Sequence, residues 1–246
     1  MAINWYHYAS PATFYPLAGR LAPWFAAIAA LLAAAGLWIG FGLAPTDATQ
    51  GEAYRIIYIH VPTAWMAMFV YLVMAFWSAL ALAFNTRLSA MMAQALAPTG
   101  ALMAALALWT GAFWGRPTWG TYWAWDARMT STLILLFLYL GVMGLYAAID
   151  DRRNAARAAG FLAIVGVALL PVIRWSVVWW NSLHQGQTIR LLGESSMDAS
   201  MLAPLAWMII GTKLWFLGSL LSRARADNLR REAGKDWVAR LSGGTP

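Results

Sequence analysis

Six long apolar runs divide this 246-residue chain, at about Pro23–Ala44, His60–Phe84, Leu96–Phe113, Leu133–Ile149, Ala158–Val178 and Met201–Leu221. Crossing a bilayer as a helix takes about 20 apolar residues, so each run is long enough or nearly so. A backbone in hydrocarbon must satisfy its own N–H and C=O groups, and an uninterrupted apolar run does this as a helix. The expected fold is therefore an all-α integral membrane protein with six transmembrane helices. Only 11% of residues are charged and 61% are hydrophobic, where a soluble domain carries about 25% charged residues. The spans leave no room for a separate soluble domain, so residues 1–246 read as a single polytopic unit.

The segments between the runs complete the layout. Residues 1–20, with Trp5, Tyr6, His7, Tyr8, Phe14 and Tyr15, read as an interfacial lead-in. They hold no Lys or Arg before Arg20, and the first run is too long for a signal-peptide core, so no cleavable signal is expected. Asp150–Arg157 reads as a charged turn, and residues 222–246 as a basic tail. Six spans return both termini to one side of the membrane. Eleven Lys and Arg lie on that side: Arg20, Arg87, Arg152, Arg153, Arg157 and six in the tail. Five lie opposite: Arg55, Arg116, Arg128, Arg174 and Arg190. The positive-inside rule places the termini and tail in the cytoplasm and the opposite loops outside. The net charge of +7 thus reports orientation rather than a nucleic-acid partner.

One external loop stands apart. Residues 114–130, between the third and fourth spans, hold Trp114, Trp119, Tyr122, Trp123 and Trp125, with Arg116, Asp126 and Arg128 among them. Gly115, Pro117 and Gly120 are expected to interrupt any helix through the first half. The rings leave two readings open. They form an interfacial aromatic belt, or a surface for a large planar apolar ligand whose carboxylates pair with arginine, as those of haem would.

His60 and His184 lie on the same external face, each bordering a polar segment. Each is an interfacial residue with a hydrogen-bond partner, or the two supply imidazoles to an iron from either side. His60 sits at a helix start, whose positive end favours the neutral, ligating imidazole. Arg55, Arg116 and Arg128 suit a carboxylate. The alternative for Arg128 is a pair with Asp126, and for Arg55 a solvated loop charge. Asp126 is placed to cap the fourth span or to orient an indole N–H or Arg128.

Lys213, midway along the sixth run, is either functional or snorkels to the surface. The twelve methionines are scattered through the spans without a distinctive context. The absence of cysteine excludes disulfides and thiolate sites. No phosphate-binding glycine motif is present, so the chain supplies no ATPase.

The pattern Trp119-Gly-x-x-Trp123-x-Trp125-Asp126 resembles the "WWD" signature of a superfamily of haem-handling membrane proteins. Over nearly its whole length the chain is similar to the CcmC family of cytochrome c maturation, in span number, motif position and flanking histidines. The resemblance implies a non-enzymatic haem chaperone in the inner membrane. It would hold non-covalent b-type haem at the periplasmic face, with His60 and His184 as axial ligands. Trp114, Trp119, Trp123, Trp125, Asp126, Arg128 and Arg55 would line the site. It also implies delivery to the haem chaperone CcmE, beside the CcmA, CcmB and CcmD subunits of an ABC-type complex. A transporter moving haem or another amphipathic solute is the alternative, though it would need polar groups near mid-membrane. A haem oxidoreductase would usually need a second redox centre.

Overall fold

Each apolar run forms a helix, and packing carries most of them beyond the run itself. The computed structural model describes residues 10–180, 182–184 and 197–241. Its helices are α1 (Pro11–Gly42), α2 (Ile57–Phe84), α3 (Arg87–Trp119), α4 (Ala127–Ala148), α5 (Arg152–Val165), α6 (Leu169–Trp179), α7 (Ala199–Arg231) and the short α8 (Asp236–Leu241). A 3-10 turn, Glu52–Ile56, leads into α2, and another, Gly166–Ala168, joins α5 to α6. Counting each 3-10 turn with its helix, six segments are long and apolar enough to span a membrane. The six-span all-α architecture is therefore as expected.

Helix ends depart from the sequence reading in three places. The lead-in is helical from residue 11 onward, continuous with the first span, while residues 1–9 lie outside the described part. Pro11 suits the first helical position, where a missing N–H costs nothing. Phe14 and Ala18 then bury in the core and hold this turn down. Second, the Asp150–Arg157 segment is a turn only at its start. Asp151 caps α5, its carboxylate accepting the Asn154 N–H at 2.7 Å, and Arg152–Arg157 are helical. Third, the basic tail is helix through Arg231 and again in α8. Residues 242–246 are outside the described part.

The fifth span is broken in the middle. Tyr71 enters from α2, and a Cβ added at Gly166 would lie 2.0 Å from its hydroxyl oxygen. The ring therefore occupies the space a side chain would take, and the helix tightens to a 3-10 turn there. Pro171 removes another helical donor just beyond.

The main core lies between α2, α3, α4 and the fifth span. Its centre is Tyr71 against Tyr139, edge to face at 5.0 Å, with the Tyr139 hydroxyl donating to the Ala67 carbonyl at 2.7 Å. A buried phenol in an apolar bundle needs such an acceptor. Helix α1 packs along α7, and both send side chains into this core, Phe14 and Ala18 from α1 and Phe216, Leu220 and Ala224 from α7. Their ends meet: Asn228 Nδ2 donates to the Pro11 carbonyl at 2.7 Å, and Arg225 donates to the Tyr15 hydroxyl at 2.9 Å. The start of α1 and the end of α7 therefore lie together on one side. A second cluster, with Tyr54, Ile57, Tyr58, Met197, Met201 and Trp114, lies at the opposite end, beneath the aromatic loop.

Candidate functional site

The aromatic segment is half helix, which corrects the expectation that its glycines and proline interrupt it. Helix α3 continues through Trp114, Gly115 and Pro117 to Trp119. Pro117 deprives only the Phe113 carbonyl of a donor, close to an end where carbonyls go unpaired anyway. The Thr118 hydroxyl also ties down the Trp114 carbonyl. Gly115 is buried beneath the Trp119 ring, and a Cβ there would approach that ring to 3.0 Å. The stop comes at Gly120, whose φ of 80° is the left-handed C-cap conformation, with its N–H donating to the Arg116 carbonyl at 3.1 Å. The Arg116 side chain reaches the Gly120 carbonyl.

Residues 120–126 are the loop proper. Asp126 closes it by capping α4, accepting the Met129 N–H at 2.8 Å. Its second carboxylate oxygen accepts the Ser182 hydroxyl, and the His184 N–H donates to Ser182 Oγ at 3.1 Å. Asp126 thus ties the segment carrying His184 to the start of α4.

His60 lies in the first turn of α2 and is 8% exposed. Its Nδ1 is 3.1 Å from Thr110 Oγ1 on α3. The Trp114 ring stands edge-on to it at 5.5 Å, and the Trp114 N–H donates to Gln50 Oε1 at 2.7 Å. His184, 124 positions further along, comes to 6.2 Å from His60, centre to centre, with the rings inclined at 43°. Trp119 lies 5.6 Å from His184 on another side. The structure brings the two histidines, Trp114 and Trp119 together as ring neighbours.

Burial pushes the His184 imidazole down to about 3, with the nearby Arg128 charge adding to the effect. It is therefore neutral throughout the physiological range, the state in which imidazole ligates metal. Two buried polar atoms in the site have no partner among the described residues, His184 Nδ1 and Trp123 Nε1.

The remaining candidates divide. Trp123 and Trp125 pack edge to face at 5.4 Å, and Trp125 is 79% exposed at the loop tip. Arg128 does not pair with Asp126. Among the described residues it makes only long contacts, to Ser176 Oγ at 3.3 Å and the Arg174 carbonyl at 3.5 Å. Arg55 is occupied: it is ion-paired to Glu52 and donates to the Gly40 carbonyl at 2.8 Å. Lys213 is exposed on α7.

Sequence reasoning missed Thr110, Gln50 and Ser182. A lone hydroxyl or amide carries no motif, and only Ser182, two residues before His184, had a positional signal.

Two imidazoles leave a bare metal ion short of ligands, and among the described residues no group of three or more metal-binding side chains is present. A planar metal complex that brings its own equatorial donors needs only the two. A metal–imidazole bond of about 2 Å, plus roughly 1 Å from nitrogen to ring centre, puts two axial imidazoles about 6 Å apart. The observed 6.2 Å fits that separation.

Fold and site together define a polytopic helical membrane protein that carries paired imidazoles beneath an aromatic loop at one face. The family model described as Heme exporter protein C matches residues 4–239. The heme exporter protein C of Haemophilus influenzae is 44% identical over 97% of this chain and 98% of its own length. That of Escherichia coli K12 is 45% identical over 95% and 94%, and that of Bradyrhizobium diazoefficiens 48% over 91% and 84%. The chain belongs to this family, CcmC.

Proposed function

We propose that the chain is a haem-handling protein of cytochrome c maturation, holding haem at the periplasmic face of the inner membrane and passing it to CcmE. The observation that carries this reading is the 6.2 Å separation of His60 and His184 beside Trp114 and Trp119. In this reading haem is cargo, b-type and non-covalently held, with the two imidazoles as axial ligands. Trp119 and Trp123 offer it apolar cover, and the unpaired Trp123 N–H an extra donor. Arg128, which makes only long contacts among the described residues, is the preferred partner for a propionate. Arg55 would first have to leave Glu52. Exposed Trp125 is placed for contact with the acceptor. The chain performs no catalysis, and ATP hydrolysis belongs to an ABC-type complex with CcmA, CcmB and CcmD.

The charge asymmetry supports cytoplasmic termini. The joined ends of α1 and α7 lie opposite the site, which agrees with a periplasmic one.

The test is to load the purified chain with haem, add CcmE, and score haem retained and haem transferred covalently. His60→Ala and His184→Ala should each lose retention and transfer together. Wild-type retention in both variants would contradict the site. A reporter fused within 120–125 that reads cytoplasmic would contradict the topology.

A further inference from the structure

The contact between His60 and Thr110 assigns a proton. Thr110 Oγ1 lies 2.7 Å from the Leu106 carbonyl oxygen and 3.1 Å from His60 Nδ1. A carbonyl oxygen cannot donate, so a contact that short requires the threonine's one hydroxyl hydrogen to point at Leu106. Toward His60, Oγ1 then presents only lone pairs. The remaining hydrogen of the pair has to come from the ring. We infer that Thr110 is a positioning residue that holds neutral His60 as its Nδ1–H tautomer, donating to Thr110 Oγ1, and so leaves Nε2 as the free lone pair.

Three features make this a built arrangement. Both partners are buried, His60 at 8% and Thr110 at 2% exposure, so water does not compete for the bond. The two side chains come from different helices, α2 and α3, which pack along one another, so the geometry is set by the bundle. Gly111, next to Thr110, makes room for the ring: a Cβ there would lie 2.9 Å from His60 Cε1. Free imidazole has no such fixed preference, and the proton on one nitrogen decides which other nitrogen can bind a metal. The same carbonyl that ordinarily captures a helical threonine hydroxyl thus converts Thr110 from a donor into an obligatory acceptor.

The inference rests on the proposed role of His60 as an iron ligand, but the tautomer itself can be read without haem. The full-length chain, labelled with 15N in its three histidines and held in lipid nanodiscs without haem, is examined by NMR. The His60 signals are assigned by their loss in His60→Ala. Wild type and Thr110→Ser should show protonated Nδ1 and unprotonated Nε2. Thr110→Val, isosteric but without the hydroxyl acceptor, leaves only the Ala107 carbonyl beside the ring and should show the Nε2–H form appearing next to the Nδ1–H form. A wild-type ring protonated on Nε2, or a Thr110→Val ring still locked as Nδ1–H, overturns the inference. If Thr110→Val does not fold, the wild-type and Thr110→Ser spectra still decide it.

With haem added, Thr110→Val should lower retention about tenfold, the low end for loss of a partner behind a metal ligand, and Thr110→Ser should restore it. Wild-type retention in His60→Ala would refute the ligand role while leaving the tautomer assignment intact.

Discussion

The two imidazoles sit 6.2 Å apart yet are held in different ways. His60 is carried on a transmembrane helix, buried against α3, hydrogen-bonded through Nδ1 and braced by Trp114. His184 lies two residues beyond Ser182, which bonds Asp126, and against the Trp119 ring, and its Nδ1 has no partner among the described residues. A side chain set by the packing of two helices moves with the bundle, whereas one set by a few named bonds moves with those bonds. The comparison teaches that one imidazole is fixed by the helix that carries it and the other by bonds that neighbouring residues make to its own stretch of chain. Changes at His60 should therefore act through the ring alone, and changes around His184 through the segment that positions it.

The largest effects should come from the ligands. His60→Ala and His184→Ala should each weaken haem retention by more than about a hundredfold, beyond what loss of an outer partner costs. Retention is measured by competition with a soluble haem acceptor. An imidazole supplied in solution should refill a pocket with rigid walls better than one formed by a loop. Rescue by added imidazole is therefore expected to be stronger for His60→Ala. Equal rescue would break the distinction.

Next is Asp126→Ala, which removes both the α4 cap and the Ser182 bond. The cap alone is worth about 1 kcal/mol, so a modest loss of thermal stability is expected. Haem retention should fall more clearly than stability, because the tie to His184 goes too. Asp126→Asn keeps a capping oxygen and should recover most of the stability.

The pH response sharpens the contrast further. A histidine whose folded value lies near 3, below the ordinary 6.5, stays neutral while the unfolded chain takes up a proton. Stability from this group is therefore at its plateau above about pH 6.5 and falls as pH drops toward 3. In the haem-free chain the His184 resonances should show no protonation between pH 7 and 5, and His184→Ala should flatten the acid side of the stability profile.

The smallest effect on binding is expected from Trp125→Ala. At 79% exposure its ring contributes little to the fold, so haem retention should be near wild type while transfer to CcmE falls. Normal transfer would make Trp125 an interfacial anchor only.

How much of this was legible in the sequence follows the same division. The spans were, because hydropathy is a property of each run alone. Their ends were not: Phe14, Ala18 and Asn228 hold helix outside the apolar runs through contacts with distant residues. Helix α3 passes through Pro117 because the helix end forgives a missing donor, a matter of position that residue type does not reveal. The pairing of His60 with His184 was suggested by their shared face and by family resemblance, and the capping role of Asp126 by its place before an apolar run. Thr110 was invisible, since a threonine in a helix usually bonds only its own backbone. The engagement of Arg55 by Glu52, three residues before it, needed the 3-10 turn to be seen.

The most direct test of the site is the electron paramagnetic resonance spectrum of the oxidised, haem-loaded full-length chain. If His60 and His184 are both axial ligands, the spectrum is low-spin bis-imidazole, and each single alanine variant turns high-spin or loses the signal. A high-spin wild-type spectrum, or a low-spin signal unchanged in both variants, would contradict the paired-imidazole site.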